Sequence, residues 1–429
     1  MGIWICTATS YDRPAAGPGG PGDGETRSAA AHRRRDRRRC DYLGAMPITQ
    51  LQVAHAVTPT GVVDDAVITI ADGRIAAVAP GGQGADGGAT AGLWAVPGFV
   101  DTHSHGAVGI AFGNPDVEAN RRAIAYHLTQ GTTTIFASTV TEPIEKLEAQ
   151  LRVLRGLHAA GELGGIHLEG PFLAPEKKGA HDLALLRDPD AESVERLIAA
   201  GGPALKMITL APERQFGEEA TRRFVEAGVK VAFGHSDADE VTCAQQIEWG
   251  ATIATHLFSA MRSIHHREPG PVPVLLVDER VMVELICDGV HHAPVIAAMA
   301  IEAAGPGRVA LVTDAMSATG HGDGRYILGE LEVDVEDGTA RLVTADGSQG
   351  AIAGSTLTMA KAFEFVVQQV GVSIPDAAAM AATTPAAFHG LDEVGRLAPG
   401  LFADICLVDD DGVLHGVIRR GEWAVTPAV

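Results

Sequence analysis

Two histidines stand two residues apart, as His103 and His105, in the segment Asp-Thr-His-Ser-His-Gly at positions 101–106. In an extended segment, side chains two residues apart point the same way, so both imidazoles can converge on one point. Imidazole is a common ligand for zinc and other divalent ions. The spacing therefore predicts part of a metal site, although a His-x-His pair alone also occurs at strand ends that bind no metal.

More groups of this kind follow along the chain. They are a carboxylate before a Gly-Pro turn, two histidines in Gly-His-Ser and Thr-His-Leu-Phe, and an aspartate in Thr-Asp-Ala: Glu169, His235, His256 and Asp314. Alone, each histidine would more often be a core or loop residue, and Glu169 could cap a helix. Together, these nitrogen and oxygen ligands suit a divalent ion. Such an ion lowers the pKa of water toward ~7 and polarises a carbonyl, which permits hydrolysis at neutral pH.

Apolar, β-rich segments precede most of these groups. We predict eight strands, at Leu93–Val100, Thr133–Ala137, Gly165–Leu168, Ala204–Leu210, Lys230–Phe233, Thr252–Ala254, Val281–Ile286 and Val309–Val312. Helical stretches alternate with them, which is typical of a parallel sheet. Eight strands predict an α/β fold of the (β/α)₈ TIM-like barrel type, whose active site forms at the carboxyl ends of the strands.

The two ends of the chain share a different pattern of short strands with hairpin turns, such as Asp72–Gly73 and Asp337–Gly338. We expect both ends to meet in one small β-sandwich domain. The predicted divisions are a disordered or non-native extension over 1–45, the first part of the β-domain over 46–95, the main part of the metallohydrolase barrel over 96–328, a β-hairpin insertion over 329–353, C-terminal helices on the barrel over 354–395, and the second part of the β-domain over 396–429.

Composition narrows the functional classes. Hydrophobic residues form 46% of the 429-residue chain, which permits a large core, and the formal net charge is −21. So acidic a surface argues against nucleic acid or an anionic membrane as a partner. Five scattered cysteines lack a CxxC pair, so we expect a reducing cytoplasm, and no apolar run is long enough for a membrane helix. Residues 1–45 are Gly-, Pro- and Arg-rich, and Met46 would be a natural start.

The order of the groups resembles the amidohydrolase superfamily. Within it, five segments are similar to the N-acetylglucosamine-6-phosphate deacetylase family: His-Leu-Glu-Gly-Pro-Phe at 167–172, Lys-Lys-Gly-Ala-His at 177–181, Gly-His-Ser at 234–236, Thr-His-Leu-Phe at 255–258 and Gly-Ser-Thr-Leu-Thr-Met at 354–359. The resemblance runs from about residue 61 to the C-terminus. It implies hydrolysis of N-acetyl-D-glucosamine 6-phosphate to D-glucosamine 6-phosphate and acetate, in amino-sugar catabolism and recycling.

The resemblance also assigns residues to catalysis and metal binding. It makes Glu169, His235 and His256 the main metal ligands, and it makes His103 and His105 the pair that supports a second ion in some members. Asp314 matches the catalytic acid and base, which takes a proton from water and returns one to the leaving nitrogen. His291 matches the histidine that contacts the acetyl oxygen, and its neighbour His292 is the weaker candidate. We expect one or two divalent ions per subunit, zinc first and otherwise iron, manganese or cobalt.

Substrate recognition is assigned in the same way. His181 matches a substrate-contacting histidine, and Ser259 and Ala260 begin the loop that meets the phosphate. Arg267 matches an arginine that reaches the phosphate in the neighbouring subunit, so the resemblance implies a homodimer. Guanidinium suits phosphate because it donates two parallel hydrogen bonds. Ser259 departs from the family, which commonly has asparagine at this place.

Three alternatives remain open from the sequence. The substrate could be another N-acetylhexosamine phosphate, such as N-acetylgalactosamine 6-phosphate. The chain could be another amidohydrolase, such as a cyclic-amide hydrolase, although the Lys-Lys-Gly-Ala-His segment and Arg267 favour a phosphosugar. It could also be a scaffold that has lost its chemistry, which the complete ligand set and Asp314 argue against.

Overall fold

The computed structural model describes residues 48–81, 88–344 and 347–428. The predicted extension over 1–45 and the suggested start at Met46 lie outside these residues. Eight parallel strands pair in chain order into one sheet that curls into a barrel. Their bounds are Phe99–Asp101, Thr132–Thr139, Gly165–Glu169, Leu205–Leu210, Lys230–Phe233, Ala251–Ala254, Met282–Leu285 and Val309–Leu311.

The barrel closes just above the ends of its first and eighth strands. The amide of Asp314 donates to the carbonyl oxygen of His103 at 2.8 Å, and Ser104 forms a parallel bridge with Ala315. The predicted (β/α)₈ barrel is confirmed. Its closure brings the segment after the first strand beside the segment after the eighth, and both carry predicted site residues.

A helix follows each barrel strand. The first seven span Val117–Thr129, Ile144–Ala159, Ala191–Gly201, Gly217–Glu226, Glu240–Trp249, Pro271–Val277 and Pro294–Ala304, and the C-terminal ones span Met359–Phe365, Ile374–Ala378 and Thr384–Phe388, with π-helical turns at Val366–Val370 and Ala379–Thr383. Helix Ile144–Ala159 shows how sequence sets the packing. Its residues Ile144, Leu147, Leu151, Leu154 and Leu157 recur at helical spacing and are all buried.

Strands from both ends of the chain form one seven-stranded sheet, as predicted. Its order is Glu422–Val425, Leu414–Arg419, Ile405–Val408, Trp94–Pro97, Gln50–Thr58, Gly61–Ala71 and Arg74–Pro80. The turn at Asp72–Gly73 has φ of 50° and 73°. Two left-handed central residues define the type I′ hairpin turn that the Asp-Gly pair predicts.

The predicted first barrel strand, Leu93–Val100, is wrong as a single strand. Trp94–Pro97 pairs with Ile405–Val408 in the end sheet, whereas Phe99–Asp101 pairs with the second barrel strand. Gly98 joins the two, and a Cβ atom there would lie 2.3 Å from the Thr133 hydroxyl oxygen. The close approach requires glycine, and the chain passes from one sheet to the other at this point.

A four-stranded antiparallel sheet stands beside the barrel mouth. Its strands are Gly324–Leu328, Leu331–Glu336, Thr339–Val343 and Gln349–Ile352, so the predicted hairpin is the middle of a larger sheet. Buried residues of this sheet pack with Met316 and Ala318, which follow the eighth barrel strand. A two-stranded ribbon, Gly106–Ala107 with Ile110–Ala111, and 3₁₀ turns at Gly88–Thr90, Pro175–Lys177, Leu183–Leu185 and Gly202–Ala204 complete the elements.

No helix within 48–81, 88–344 and 347–428 combines the length and the apolar character that crossing a membrane requires.

Candidate metal centre and catalytic site

The inside of the barrel changes from apolar to polar along its axis. A lower layer consists of Met207, Ala232, Ile253, Met282 and Ala310. Inward-facing residues recur every second position along a strand. Two positions after Met207, Ile253 and Met282 stand Thr209, Thr255 and Glu284, all fully buried. The polar layer lies above an apolar floor and below the mouth, where the predicted ligands are found.

Glu169, at the end of the third strand, is the centre of the mouth. Its carboxylate oxygens lie within 3.6 Å of five imidazole Nε2 atoms: His103 at 3.6 Å, His105 at 3.2 Å, His181 at 3.4 Å, His235 at 3.2 Å and His256 at 3.2 Å. All six residues are buried. The fold therefore brings together the five predicted metal ligands and one predicted substrate residue.

In these histidines Nε2 faces Glu169 and Nδ1 faces away from it. The hydrogen-bond partner of Nδ1 determines which of the two nitrogens carries the proton of the neutral ring. Nδ1 of His235 lies 2.8 Å from the carbonyl oxygen of Lys177, which can only accept, so Nδ1 carries the proton. In the ring form that carries its only proton on Nδ1, which is the form that binds a metal, Nε2 presents a lone pair to Glu169 Oε1 and to Nε2 of His256, 3.1 Å away. A lone pair that faces a carboxylate oxygen is repelled unless a cation lies between them. This donor set fits a divalent metal ion.

His181 differs from its neighbours in this respect. Its Nδ1 accepts the backbone N–H of Thr141 at 3.2 Å, so its proton is on Nε2, which donates to Glu169 Oε2. Burial lowers the pKa of His181 to about 4 and keeps the ring neutral. Although His181 lies among the potential ligands, its ring is oriented as a hydrogen-bond donor. A metal-ligand role for it would require the Thr141 bond to break.

Asp314 lies on the His103–His105 side of the cluster. Its Oδ1 is 3.2 Å from Nε2 of His105 and 3.5 Å from Nε2 of His103. Burial opposes ionisation, but the two histidines outweigh it and lower the pKa of Asp314 to about 2. At neutral pH the side chain is therefore a carboxylate, the form that accepts a proton.

Three of these residues adopt left-handed backbone conformations. The φ angles are 49° for His235, 28° for His256 and 48° for Asp314. Non-glycine residues in this region cost about 1–3 kcal/mol each, and they persist where the surroundings over-determine them. Strained backbone at three strand ends is typical of a functional site. Here the left-handed conformation turns each side chain toward the same centre.

Asp101 ties the two closing segments together beneath the cluster. Its carboxylate accepts the Thr313 hydroxyl at 2.6 Å and the backbone N–H groups of His103 and Thr313 at 3.2 and 3.3 Å. Burial raises the pKa of Asp101 to about 6, against the effect of these hydrogen bonds. The carboxylate fixes His103 relative to the segment that carries Asp314.

His291 and His292 follow the seventh strand and have different environments. Nδ1 of His291 lies 2.7 Å from Asp288 Oδ2, and His291 lines the site cavity. Burial alone would lower the pKa of His291, but Asp288 raises it. Both ring nitrogens of His292 face backbone carbonyl oxygens, those of Ile286 and Leu257. His291 is therefore the histidine of this pair that can meet a substrate.

A cavity of about 370 Å³ opens over the cluster. This volume suits a small-molecule site, and the lining includes His181, Ser259, Ala260 and Asp314. Lys177 also lines it and is the one lysine or arginine among the lining residues. Ser259 and Ala260 are held by backbone bonds to His256 and to Ser236. The predicted substrate residues on this side of the mouth therefore share one cavity with the catalytic candidates.

Arg267 is also a predicted substrate residue, but it is not among the residues of this chain that line the cavity. It is exposed, and its guanidinium lies 2.7 Å from Nε2 of His266 in the loop 259–270. Its assigned role requires a second subunit, so it stays a prediction.

Several residues that organise the site were not found from the sequence. Thr141 sets the tautomer of His181, Asp288 orients His291, and Glu284 contacts Nδ1 of His103 at 3.2 Å. One signal was available, because Glu284 interrupts the apolar segment Val281–Ile286. Thr141 and Asp288 stand in loops and have no local pattern that distinguishes them.

Comparison with known proteins gives one consistent family. Residues 94–424 match the amidohydrolase family. The N-acetylglucosamine-6-phosphate deacetylase of Lysinibacillus sphaericus is 33% identical over 364 residues, which cover 82% of this chain and 92% of that protein. The N-acetylgalactosamine-6-phosphate deacetylase of Escherichia coli O157:H7 is 34% identical over 380 residues, which cover 87% of this chain and 98% of that protein.

Solved structures agree with these relatives. The chain is similar to an N-acetyl-D-glucosamine-6-phosphate deacetylase of Mycobacterium smegmatis, an aspartate-to-alanine variant in complex with N-acetyl-D-glucosamine-6-phosphate. The identity is 40%, the TM-score is 0.84, and the match covers 89% of this chain and all of that one. The enzyme of Thermotoga maritima matches with 32% identity and a TM-score of 0.79, over 88% of this chain and 99% of that one.

Proposed function

Because this chain belongs to the amidohydrolase family, we propose that it hydrolyses N-acetyl-D-glucosamine 6-phosphate to D-glucosamine 6-phosphate and acetate. It is a hydrolase of a linear amide C–N bond. One observation carries the proposal: Glu169 and its surrounding imidazoles lie beside an ionised Asp314, in a cavity of a size that suits a small molecule. The residues of the cluster are those that this chemistry requires.

Asp314 is the group that moves the proton. Glu169, His235 and His256 would hold a divalent ion, which would supply Lewis acidity to the amide carbonyl and to the attacking water. Asp314 takes the proton of that water and then delivers it to the leaving sugar nitrogen, which must be protonated before it departs. Its lowered pKa makes it a carboxylate at the start of this sequence.

His291 stabilises the charge that develops on the acetyl oxygen. Asp288 raises the pKa of His291 and so favours the protonated ring, whose Nε2–H can donate to that oxygen. The carboxylate of Asp288 also fixes the ring orientation through Nδ1. His181 lines the same cavity, and as a substrate contact it would share its one ring proton, on Nε2, between Glu169 Oε2 and the substrate.

The phosphate binds at the outer end of the cavity, against Ser259 and the backbone of Ala260. A homodimer completes this end when Arg267 of a neighbouring subunit reaches the phosphate. The bound ion is zinc in the first instance, with iron, manganese and cobalt as alternatives, because His-rich sites with carboxylates accept all four. The setting is the cytoplasm, a proposal that the three cysteines among the described residues support, because Cys243, Cys287 and Cys406 are all unpaired.

Acetate release is the test of this proposal. The metal-loaded enzyme is given N-acetylglucosamine 6-phosphate, N-acetylgalactosamine 6-phosphate or unphosphorylated N-acetylglucosamine, with Asp314→Asn as the control. We expect the highest kcat/KM on the first. A higher value on the galactose isomer would favour the second candidate, which the relative from Escherichia coli and the serine at position 259 support. No acetate from any of the three sugars would contradict the proposal.

A further inference from the structure

A second cavity, of about 730 Å³, adjoins the site cavity of about 370 Å³. Its walls are the segments that follow the first two barrel strands, helix Ile144–Ala159, and strand Gly324–Leu328 of the sheet beside the mouth. His105, Val140 and Leu328 line both cavities, so the two spaces meet at these side chains. The proposed reaction leaves the second cavity unused, because acetyl has only a methyl group beyond its carbonyl carbon.

The second cavity lies across the barrel mouth from the proposed phosphate end. In a barrel of eight strands that pair in chain order, the second strand stands opposite the sixth. Val140 directly follows the second strand, and Ser259 follows the sixth. Glu169 and its histidines lie between them, at the centre of the mouth. The order across the mouth is therefore the phosphate end, the cluster around Glu169, and the second cavity.

The proposed substrate has its groups in the same order. In an N-acyl glucosamine 6-phosphate the nitrogen is bound to C2, and the carbon that carries the phosphate is bound to C5, the ring atom opposite C2. The acyl group and the phosphate therefore project from opposite sides of the sugar ring. When the phosphate lies at Ser259 and the amide at the cluster, the acyl chain points past His105 toward the second cavity.

The lining of the second cavity favours an uncharged, apolar chain. Its apolar side chains are those of Ala111, Phe112, Pro115, Val140, Ala149, Val153, Ile327 and Leu328. Its cations already have partners. Nζ of Lys146 lies 2.8 Å from Glu142 and 3.0 Å from Glu330, and Arg325 lies 3.4 Å from Glu332. An anionic group on the chain would have to compete with these ion pairs, whereas methylene groups gain free energy from leaving water.

We infer that the second cavity binds acyl chains, and that the enzyme also removes unbranched acyl groups longer than acetyl, such as butanoyl, from the nitrogen of the sugar phosphate. The water oxygen bonds to the acyl carbon, and the C–N bond breaks with its electron pair going to nitrogen. Both protons of the water end on the nitrogen, so the products are a carboxylate and an ammonium sugar phosphate. This inference rests on the proposed function and extends its substrate class.

A series of acyl groups tests the inference on the wild-type enzyme. The metal-loaded full chain is given the acetyl, propanoyl and butanoyl amides of glucosamine 6-phosphate, and release of the free amine is measured. Burial of one methylene group is worth up to about fourfold in affinity, so kcat/KM should rise by up to this factor at each step. A pocket closed behind the acetyl methyl would instead reject an added methylene by about 10–200-fold.

Variants of Val140 test whether the chain enters the second cavity. Val140→Phe narrows the boundary between the two cavities and should lower the ratio of kcat/KM for butanoyl to that for acetyl by about tenfold or more. Val140→Ala widens the boundary and should keep or raise the ratio. Val62→Phe is the matched control, because it makes the same exchange at a residue of the end sheet that is 41% exposed. Its ratio should equal that of the wild type.

Two results would overturn the inference. They are a wild-type kcat/KM for butanoyl below that for acetyl, and equal losses on both substrates in Val140→Phe. Because the first needs no variant, the inference is tested even when Val140→Phe does not fold. The acetyl substrate separates this inference from the proposed function. Hydrolysis of acetyl without butanoyl ends the inference alone, whereas hydrolysis of butanoyl without acetyl supports it and contradicts the proposed function.

Discussion

The buried cluster around Glu169 and the exposed loop 259–270 differ in how completely one chain builds them. In the cluster, all six central residues are buried, and the five histidines contact the carboxylate of Glu169 within the same chain. In the loop, His265, His266 and Arg267 are exposed, and Ile264 is 47% exposed. The contrast agrees with the proposal that a single chain assembles the catalytic site and that a second subunit completes the recognition of the phosphate.

The largest effect should come from Asp314→Asn. Asparagine keeps the shape of the side chain but cannot carry a proton, so kcat should fall by about 10²–10⁴-fold, the usual range for general acid–base catalysis. The metal content should stay at the wild-type level, because all five predicted ligands remain. Steady-state acetate release and metal analysis of the same sample check this. Near-normal turnover would remove Asp314 from the mechanism.

Glu169→Gln should cost more metal than His103→Asn. Glu169 contacts histidines on both sides of the cluster. Glu169→Gln would therefore remove a charged oxygen ligand from every ion that the cluster holds. The family resemblance assigns His103 to the second ion only. Metal per chain after identical dialysis ranks the two variants. If His103→Asn empties the protein completely, the His103–His105 side is the main site and the ranking is wrong.

Arg267→Ala should act on recognition and spare the chemistry. A guanidinium on phosphate is worth roughly 1.5–3 kcal/mol, so KM for the phosphorylated sugar should rise about tenfold or more, with a smaller change in kcat. Unphosphorylated N-acetylglucosamine is the control substrate, and its kinetics should barely change. Equal losses on both sugars would show that Arg267 only stabilises its loop.

Mixing Arg267→Ala with Asp314→Asn tests the second subunit directly. If subunits exchange, a mixed dimer has one site with an intact Asp314 and a neighbour that supplies Arg267. Partial activity should therefore return in the mixture. A mixture that gains nothing, although exchange is shown with labelled subunits, would argue that the site is complete within one chain.

Asp288→Asn should change the pH profile and leave the maximum rate nearly intact. The pKa of His291 is raised by Asp288, and the protonated ring is the required form. In the wild type, kcat/KM therefore falls as the pH rises through that raised pKa. Without the carboxylate the pKa drops, so the fall should begin at lower pH. Superimposable alkaline limbs for the two enzymes would contradict a protonated His291.

The smallest effect should come from removal of residues 1–45. Their sequence lacks the hydrophobic pattern of a core element, and they precede the first predicted strand. A shortened chain that starts at Met46 should keep its kcat and its melting temperature. A large loss of either would show that these residues stabilise the rest of the chain.

The barrel and the inner site followed from local sequence patterns. An apolar segment that is followed by a histidine or a carboxylate predicts a barrel strand. It also predicts that the polar group stands at the carboxyl end of that strand. The prediction failed at Leu93–Val100, because one apolar run supplies two sheets and the division depends on the contact of Gly98 with Thr133. Such a contact between distant residues has no local signal.

The finer features of the site depend on partners that are distant in sequence. His181 and His235 both stand beside Glu169, and their sequence contexts do not indicate which ring nitrogen carries the proton. Thr141 and the carbonyl oxygen of Lys177 decide it, at 40 and 58 residues along the chain. The contact of Glu284 with Nδ1 of His103 likewise has no local signal, because it forms only when the first and seventh strands lie in one barrel.

Restoration of activity by metal tests the central claim most directly. The wild-type enzyme is stripped with a chelator, and Zn²⁺ is added back while acetate release from N-acetylglucosamine 6-phosphate is measured beside bound metal. Activity should be absent in the stripped enzyme and return in proportion to ions bound at the Glu169 cluster, while Asp314→Asn binds the same metal and stays inactive. Full activity of the metal-free enzyme, or metal binding that restores none, would contradict the account.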